Sequence, residues 1–466
     1  MSMKNKIKLC LSIFGLFFLA LTYARGDTLT INVERAVELA LKNSYQLRQN
    51  EEKVLAAAAG KGAALGGFLP QISASGAYTR LGTVNEFEMA APVYRKLPLR
   101  VYDPFTGEVI GFTDSVPMPV GADTVRMALG SQDNYFLRGT IQQTLFTWGK
   151  LINAYRVAGL NLEAQKAARE QVRQDVKFAA LQAFYRALLA EKTADLLAGS
   201  YEQLRRHVEQ VARLYEEGLA RRLDLMRAQV SLTNMAKQVD GAKRGAELAR
   251  AALTNLLGLE AGTTLILESE LKAETPDLDT TSALRRAQEN RPELVQLRRL
   301  CKIADIGVQI TRTANLPTLF ATGNFDYKRP VGFQNHWGKD WNATVGLSWP
   351  IFTGLANYHK LRQAKSQYRQ AVLSLKMVED AIELELRAAV AGYVQEKNSI
   401  GYQEENIKVA EEAFQLAEKQ YQNGLLSNLE FLDIQLQLTQ SRVALLNALA
   451  NFQVARARLL RAMGEF

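Results

Sequence analysis

The sequence predicts a mainly α-helical fold with a small β part, built from two structural repeats of long coiled helices plus a β-hairpin. Three observations support this prediction. They are an internal duplication, two very long proline-free runs with a helical period, and four short segments that alternate apolar and polar residues. The apolar fraction of 47% over 466 residues is ample for a folded core.

The first 24 residues differ from the rest of the chain. Three lysines precede an almost entirely apolar stretch from Leu9 to Leu21, and a small-residue pattern ends at Ala24. This order is typical of a secretory signal peptide, because a membrane-spanning helix needs about 20 apolar residues. We therefore predict a signal peptide over residues 1–24. Cys10 precedes the apolar stretch, which is the wrong place for a lipidated cysteine, so the mature chain is expected to carry no lipid anchor.

Landmark residues of the first half recur in the same order in the second half. Asn43 recurs as Asn290, at one offset, and Gly218 recurs as Gly424, at a shorter offset. The change in offset indicates an insertion in the first half, within a segment rich in Pro and Gly. The predicted organisation is a first repeat over 25–258, a linker over 259–281 and a second repeat over 282–466. Within the first repeat, residues 81–133 are predicted to be a long loop.

The long runs are predicted to be helices. Residues 148–217 and 354–423 contain no proline, and a helix of that length spans about 105 Å. Apolar residues recur at helical spacing in the first run, and in the last segment they alternate steps of three and four, as in coiled coils. Gly218 and Gly424 fit helix ends, so each is interpreted as the turn of a helical hairpin.

Four segments alternate apolar and polar residues and are predicted to be strands: about 69–80, 134–147, 317–327 and 341–352. Ten residues is the length of a transmembrane β-strand. Four strands cannot close a barrel, and open sheet edges are not tolerated in lipid. The strands are therefore expected to be shared between subunits by cyclic association. The alternative is a soluble hairpin on a helical protein.

Several landmarks form short motifs that appear twice and in a fixed order. They are Gly67-Phe68-Leu69-Pro70 with Leu316-Pro317, Leu145-Phe146-Thr147-Trp148-Gly149 with Pro350-Ile351-Phe352-Thr353-Gly354, and Tyr215-x-x-Gly218 with Tyr421-x-x-Gly424. Singly each motif is weak. Together they resemble the TolC family of outer-membrane efflux proteins over nearly the whole mature chain.

The resemblance implies a homotrimer, with an α-barrel and a shared 12-stranded transmembrane β-barrel. Such a protein lies in the outer membrane, in contact with lipid, and has a long periplasmic extension. The long loop over 81–133 is then expected to be extracellular, where it caps the channel mouth, forms a surface epitope or is a disordered insertion. It acts as the passive exit duct of a tripartite efflux pump and is gated at its periplasmic helical tip. Its partners are a periplasmic adaptor protein and, through the adaptor, an inner-membrane transporter. The alternative is the outlet channel of a type I protein secretion system, and a soluble periplasmic coiled-coil scaffold is the less favoured one.

The resemblance places a pore constriction at Glu430 and Asp433, which are three residues apart and share a helix face. A threefold ring of these carboxylates would favour cations, and mutual repulsion would raise the carboxylate pKa values. The alternative is that both acids are solvated near a helix N-terminus, where acidic residues are favoured.

The resemblance also implies a latch between neighbouring hairpins, to which Asp224 and Tyr421 correspond. Leu426 occupies the position of the family's basic latch residue, so the latch is expected to be weaker or rebuilt with Arg221 or Arg222. Gly218 and Gly424 mark the tips at which an adaptor hairpin would dock.

The sequence offers no signature of an enzyme. The three histidines, His207, His336 and His359, lie far apart, and no Cys/His set has metal-ligand spacing. Phosphate-loop and nucleophile-elbow motifs are absent from the sequence. Basic residues are interspersed with acidic ones, as on solvated helix faces. We therefore expect no catalysis, no metal, no cofactor and no nucleic-acid partner.

Overall fold

The computed structural model describes residues 28–128, 130–260, 262–272, 281–332 and 334–466. The predicted signal peptide over 1–24 lies outside the described residues, and the predicted linker over 259–281 lies partly outside them. The chain divides into two compact units. The first, called the helical unit, comprises residues up to 59, 158–305 and 365–466, and the second, called the strand unit, comprises 60–157 and 306–364.

The described chain is mainly helical with a small β part, as predicted. The helices are α1 (Val33–Asn43), α2 (Tyr45–Gly66), α3 (Lys150–Glu216), α4 (Arg222–Leu256), α5 (Ala283–Asn290), α6 (Pro292–Arg312), α7 (Ala356–Gln422) and α8 (Asn428–Met463). The strands are β1 (Thr28–Ile31), β2 (Gln71–Arg80), β3 (Glu86–Leu97), β4 (Arg100–Tyr102), β5 (Val109–Phe112), β6 (Val116–Ala128), β7 (Asp133–Phe146), β8 (Thr264–Leu267), β9 (Thr318–Arg329) and β10 (Gly338–Ser348).

Helices α3 and α7 each have 67 residues, because neither run contains a proline or a stop signal before its terminal glycine. Within the described ranges, none of the helices combines the length and the apolar character needed to cross a membrane.

The helical unit is held by apolar side chains at the helix contacts. One cluster is centred on the fully buried Phe184, Leu188 and Leu253, and includes the parallel pair β1–β8. A second cluster includes Tyr393 and Phe452, whose ring centroids lie 5.5 Å apart. Both clusters lie on the apolar faces that the helical period predicts.

Two helix ends in this unit require glycine. Gly258 follows α4 with φ +65°, and a Cβ there would lie 2.7 Å from the Cβ of Asn43. Gly464 ends α8 with φ +76°, and its Cβ would lie 2.9 Å from the carbonyl carbon of Asn290. The Asn43 amide also donates to the Leu257 carbonyl at 2.8 Å. The early and late landmarks of each half of the sequence are therefore in contact.

The strand unit contains a four-stranded antiparallel sheet in the order β10-β9-β7-β2. Each strand alternates polar and apolar residues, and the register aligns this alternation across all four strands. On the polar face, Arg138 donates to both carboxylate oxygens of Asp326 at 2.6 and 2.8 Å. On the same face, Thr140 donates to Asn324 at 2.9 Å, and Asn324 donates to Asn342 at 2.9 Å. Side-chain hydrogen bonds on the polar face thus link β7, β9 and β10.

The opposite face of the sheet is apolar and exposed. Ile72, Ile141, Phe325, Trp341 and Val345 are each more than half exposed. The strands β2 and β10 are the edges of the sheet within the described residues, so one side of each has no hydrogen-bonded neighbour strand.

Residues 81–133 differ from the prediction of an irregular or disordered loop. The segment contains two antiparallel pairs, β3–β6 and β4–β5. The prolines were interpreted as a sign of irregular structure, but a two-stranded ribbon has two free edges on which proline is tolerated. Pro92, Pro117 and Pro119 lie within this ribbon.

Candidate functional site: the helical hairpin tips

The residues predicted to form a site lie where α3 turns into α4 and where α7 turns into α8. We call these turns the first tip (217–224) and the second tip (423–433). At the first tip, Gly218 has φ +74°, its N–H donates to the Tyr215 carbonyl, and the Leu219 N–H donates to the Leu214 carbonyl. This hydrogen-bond pair closes the helix end, and it requires a left-handed residue that glycine adopts without strain.

The second tip has the same backbone. Gly424 has φ +72°, its N–H donates to the Tyr421 carbonyl at 3.0 Å, and the Leu425 N–H donates to the Gln420 carbonyl at 2.9 Å. Both glycines have open space around the position of a Cβ, so backbone conformation and not crowding requires glycine here.

The helices that leave the two tips begin differently. Arg221 precedes α4 and contributes no side-chain cap, and its Nε donates to the Asp224 carboxylate at 3.2 Å. Ser427 precedes α8 and forms a capping box with Glu430. The Ser427 hydroxyl accepts from the Glu430 N–H at 3.3 Å, and the Glu430 carboxylate accepts from the Ser427 N–H at 3.0 Å. The second tip is therefore capped by its own side chains.

This cap also affects the titration of Glu430 within one chain. The side-chain and backbone hydrogen bonds from Ser427 lower the pKa of the Glu430 carboxyl below its usual range. Repulsion within a ring of carboxylates predicts a raised pKa for Glu430, whereas the cap within one chain acts in the opposite direction.

A cluster of aromatic and polar side chains joins the two tips, and we call it the hairpin cluster: His207, Phe414, Tyr421, Asn428 and Phe431. The His207 ring stacks on Phe431 at 4.3 Å between centroids and lies 5.0 Å from Tyr421. Phe431 also lies 5.7 Å from Phe414. Aromatic pairs at these distances stabilise a contact beyond the area that they bury.

Asn428 connects the hairpin cluster to the first tip. Its side-chain carbonyl lies 2.8 Å from His207 Nε2, and its amide donates to the Asp224 backbone carbonyl at 2.9 Å. His207 and Asn428 are both 6% exposed, so the imidazole nitrogen and the amide oxygen satisfy each other's hydrogen-bonding capacity away from water. The two hydrogen bonds link α3, α4 and α8.

Burial sets the protonation of the cluster. Burial lowers the pKa of the His207 imidazole, and the hydrogen bond to Asn428 opposes this effect only in part. Burial also raises the pKa of the Tyr421 hydroxyl, and the nearby Asp224 carboxylate raises it further. A neutral imidazole and a neutral phenol are therefore the stable forms at neutral pH.

An apolar groove of about 560 Å³ lies between α4 and α8, next to the tips. The side chains that line it include Leu223, Met226, Leu429 and Leu436, and all four are exposed in the single chain. Asp433 is among the polar residues of this lining. The groove thus brings one of the predicted constriction residues next to exposed apolar surface.

Five of the six predicted residues lie at the two tips, and Tyr421 lies in the last turn of α7, two residues before the second tip. Tyr421 and Asp224 are neighbours, although the described contacts include no hydrogen bond between them. Glu430 and Asp433 are both exposed on α8. Leu426, at the position of the basic latch residue, packs with the apolar cluster around Phe414 and Phe431.

Sequence reasoning missed His207, Asn428 and Ser427. The Ser427-x-x-Glu430 spacing is a capping-box signal that could have been found. His207 and Asn428 are 221 residues apart and show no pattern that would pair them.

Known proteins resemble this chain in sequence and in fold. A family model described as outer membrane efflux protein matches residues 36–259 and 283–465. The protein CyaE of Bordetella pertussis is 25% identical over 286 residues, and the match covers 59% of this chain and 59% of CyaE. The outer membrane efflux protein BepC of Brucella suis is 22% identical over 355 residues, and the match covers 75% of this chain and 77% of BepC.

Solved structures agree with these matches. The crystal structure of the CmeC outer membrane channel of Campylobacter jejuni has a TM-score of 0.75 at 19% identity, and the match covers 93% of this chain and 85% of that chain. The predicted resemblance to TolC-type proteins is confirmed. Because the family model matches far more than half of the sequence, the chain belongs to the outer membrane efflux protein family.

Proposed function

We propose that this protein is the outer-membrane exit duct of a tripartite efflux pump, a passive channel from the periplasm to the exterior. The observation that carries the proposal is the four-stranded sheet. It has one polar face, one exposed apolar face, and two edge strands, β2 and β10. An apolar face turned to lipid and a polar face turned to a lumen is the pattern of a transmembrane β-barrel.

Closure of that barrel requires other copies of the chain. Open edges are too costly in lipid, because their unpaired backbone groups cannot reach water. Strand directions alternate from β2 to β10, so β2 of one copy can pair antiparallel with β10 of the next. Three copies then give a closed barrel of 12 strands, within the known size range. The proposal is therefore a homotrimer in the outer membrane, with its helices extending into the periplasm.

The partners follow from family membership. Relatives bear names such as outer membrane efflux protein and toluene efflux pump outer membrane protein. We infer that this chain also works with a periplasmic adaptor and, through it, an inner-membrane transporter that supplies energy. The duct itself carries out no chemistry.

The tips are proposed as the periplasmic gate. Glu430 and Asp433 are exposed on one face of α8, so a threefold arrangement would place six carboxylates around the pore. The latch is proposed to have been rebuilt. Arg221 pairs with Asp224 within the first tip, and Asn428 replaces a charged link between the hairpins. Gly218 and Gly424 remain the proposed docking points of an adaptor.

The first experiment is the mass of the protein extracted in detergent from the outer-membrane fraction, measured by light scattering with correction for detergent. A species of three mature chains is expected. A soluble periplasmic monomer would overturn the channel proposal.

The gate is tested in planar bilayers with Asp433→Asn. Asp433 is preferred over Glu430 because Glu430 also caps α8, so its substitution would change structure and charge together. Cation selectivity should fall with Asp433→Asn and stay unchanged with Glu412→Gln, an exposed acid on α7 outside the tips. Equal cation selectivity of the unmodified protein and both variants would show that Asp433 does not line the constriction.

Docking is tested with Gly218→Trp and Gly424→Trp. Efflux should be lost while the trimer persists. Normal efflux by both variants would contradict the docking role of the tips.

A further inference from the structure

The insertion in the first half of the chain forms a ribbon with one apolar face. In β3–β6, directly opposite residues share a face, so Phe87, Met89 and Val93 lie on the same face as Met127 and Val125. The other face carries the ion pair between Glu88 and Arg126, with Thr124 between Arg126 and the turn of the ribbon.

A β-bulge keeps this apolar face continuous. The register shifts between Val93 and Tyr94, so that Leu97 pairs with Val116 and Arg95 pairs with Met118. Without the shift, the prolines of β6 would lie opposite Leu97 and Arg95, and Val116 and Met118 would turn to the polar face. The bulge thus collects eight large apolar side chains on one face of the ribbon: Phe87, Met89, Val93, Leu97, Val116, Met118, Val125 and Met127.

This apolar face is uncovered in the single chain. The eight side chains are between 38% and 54% exposed. Together they leave several hundred Å² of contiguous apolar surface, about the size at which a patch on one subunit marks a contact surface. A two-stranded ribbon is also only marginally stable by itself in water. Both facts indicate that another surface covers this face in the assembled protein.

We propose that the covering surface is the same ribbon of the neighbouring copies, and this inference rests on the proposed trimer. Five residues separate the end of the edge strand β2 from the start of the ribbon. The base of the ribbon is joined to the sheet by the Leu81 N–H, which donates to the Gln132 carbonyl at 2.8 Å. Cyclic closure through β2 and β10 would therefore hold three identical ribbons at the same end of the barrel. Such tethering gives a high effective concentration.

Charge and edge chemistry favour identical copies as the partner. Arg95 and Asp123 lie on the apolar face, and Asp123 pairs with Ala91, four positions before Arg95. Neither has an ionic partner among the described residues. Arg95 of one copy can therefore form an ion pair with Asp123 of the next copy.

The edges of the ribbon are poor sites for strand addition. Its prolines, Pro92, Pro117 and Pro119, remove N–H donors from these edges, which leaves the apolar face as the contact surface. Three ribbons packed in this way would form a constriction at the end of the barrel where β2 ends and β7 begins.

The test uses two neighbouring positions on opposite faces, in a Cys301→Ser background. The only other cysteine of the chain, Cys10, lies in the predicted signal peptide. Val125→Cys is on the apolar face and Thr124→Cys is the control on the polar face. After mild oxidation of outer membranes, Val125→Cys should give a disulfide-linked dimer band at least about tenfold stronger than Thr124→Cys, because a disulfide requires Cα atoms within about 7 Å.

Each outcome separates this inference from the proposed function, because the mass of each variant in detergent is measured in parallel. A trimer without a Val125→Cys dimer band overturns the ribbon contact only, as does a trimer in which both variants crosslink equally. A fluorophore on Val125→Cys that brominated lipid quenches would show a lipid contact instead, and would also overturn it. A monomeric protein overturns the trimer and this inference together. Charge reversal gives a second measure: Arg95→Asp should weaken the Val125→Cys band, and addition of Asp123→Arg should restore it.

Discussion

The two helical tips share one backbone and differ in every side chain that holds them. Both helices end at a left-handed glycine with the same pair of hydrogen bonds. The second tip then caps itself through Ser427 and Glu430, whereas the first has no side-chain cap and receives a hydrogen bond from Asn428 of the second. Both turns contain glycine because their backbone requires a left-handed residue, whereas a side-chain cap is present at the second tip only. The first tip therefore depends on the second, and the reverse dependence is weaker.

The largest effect is expected for Asn428→Leu. This change leaves the buried His207 Nε2 without its partner, at a cost of about 1–3 kcal/mol, and removes the additional hydrogen bond to the Asp224 carbonyl. Hydrogen exchange of the amides in 217–224 should speed up more than that of the amides in 423–433. The control is Asn423→Leu, an exposed position in the second tip. If both tips respond equally to Asn428→Leu, the proposed one-way dependence is wrong.

Substitution of either tip glycine tests the left-handed turn that both tips share. Gly218→Ala and Gly424→Ala should each destabilise by about 1–2 kcal/mol, because an L-residue is strained in the left-handed region. Gly241→Ala, within α4 and with open space around it, should instead stabilise by about 0.5–1 kcal/mol. Thermal unfolding in detergent measures all three. A stabilising effect at Gly218 or Gly424 would contradict the assigned turn geometry.

Loss of a cap should affect the tips unequally. Ser427→Ala removes the capping box and should cost about 1 kcal/mol. Arg221→Ala removes only an exposed pair with Asp224 and should have a smaller effect. Exchange rates of the first-turn amides of α4 and α8 report the two losses separately. Equal losses would mean that the Arg221–Asp224 pair serves as a cap.

The smallest effect is a pH dependence of the link between the tips. The folded-state pKa of His207 lies below that of the unfolded chain, so the unfolded state takes up a proton first as the pH falls. The contribution of His207 to stability is therefore intact above about pH 6.5 and is lost as the pH falls from there towards the lower folded-state pKa. The groups around His207 include Arg206, Glu418 and Tyr421.

The measurement is the melting temperature at about pH 7.5 and about pH 5.5, on either side of the imidazole titration. His207→Gln, which retains an amide donor, should reduce the drop on acidification, while the exposed His336→Gln should not. An unchanged drop in His207→Gln would assign the pH dependence to other groups.

Local patterns were sufficient for much of the fold. Proline-free runs predicted α3 and α7, and alternation predicted strands that overlap β2, β7, β9 and β10. The ribbon in 81–133 was not predicted, because prolines that break a central strand are tolerated at a free edge. Glu430 was placed at a pore by resemblance alone, and its role as a cap became visible only with the Ser427 hydrogen bonds.

The sequence by itself determined the long helices, the four strands of the sheet and the tip glycines of this protein, because each depends on residues within a few positions of one another. It also determined the two faces of the sheet, since alternation along a strand fixes them. Only the tertiary structure decided which residues join the tips. The His207–Asn428 contact spans 221 residues, and burial is what makes that contact obligatory. The apolar face of the ribbon was likewise decided by pairing, because a single bulge determines on which side Val116 and Met118 lie.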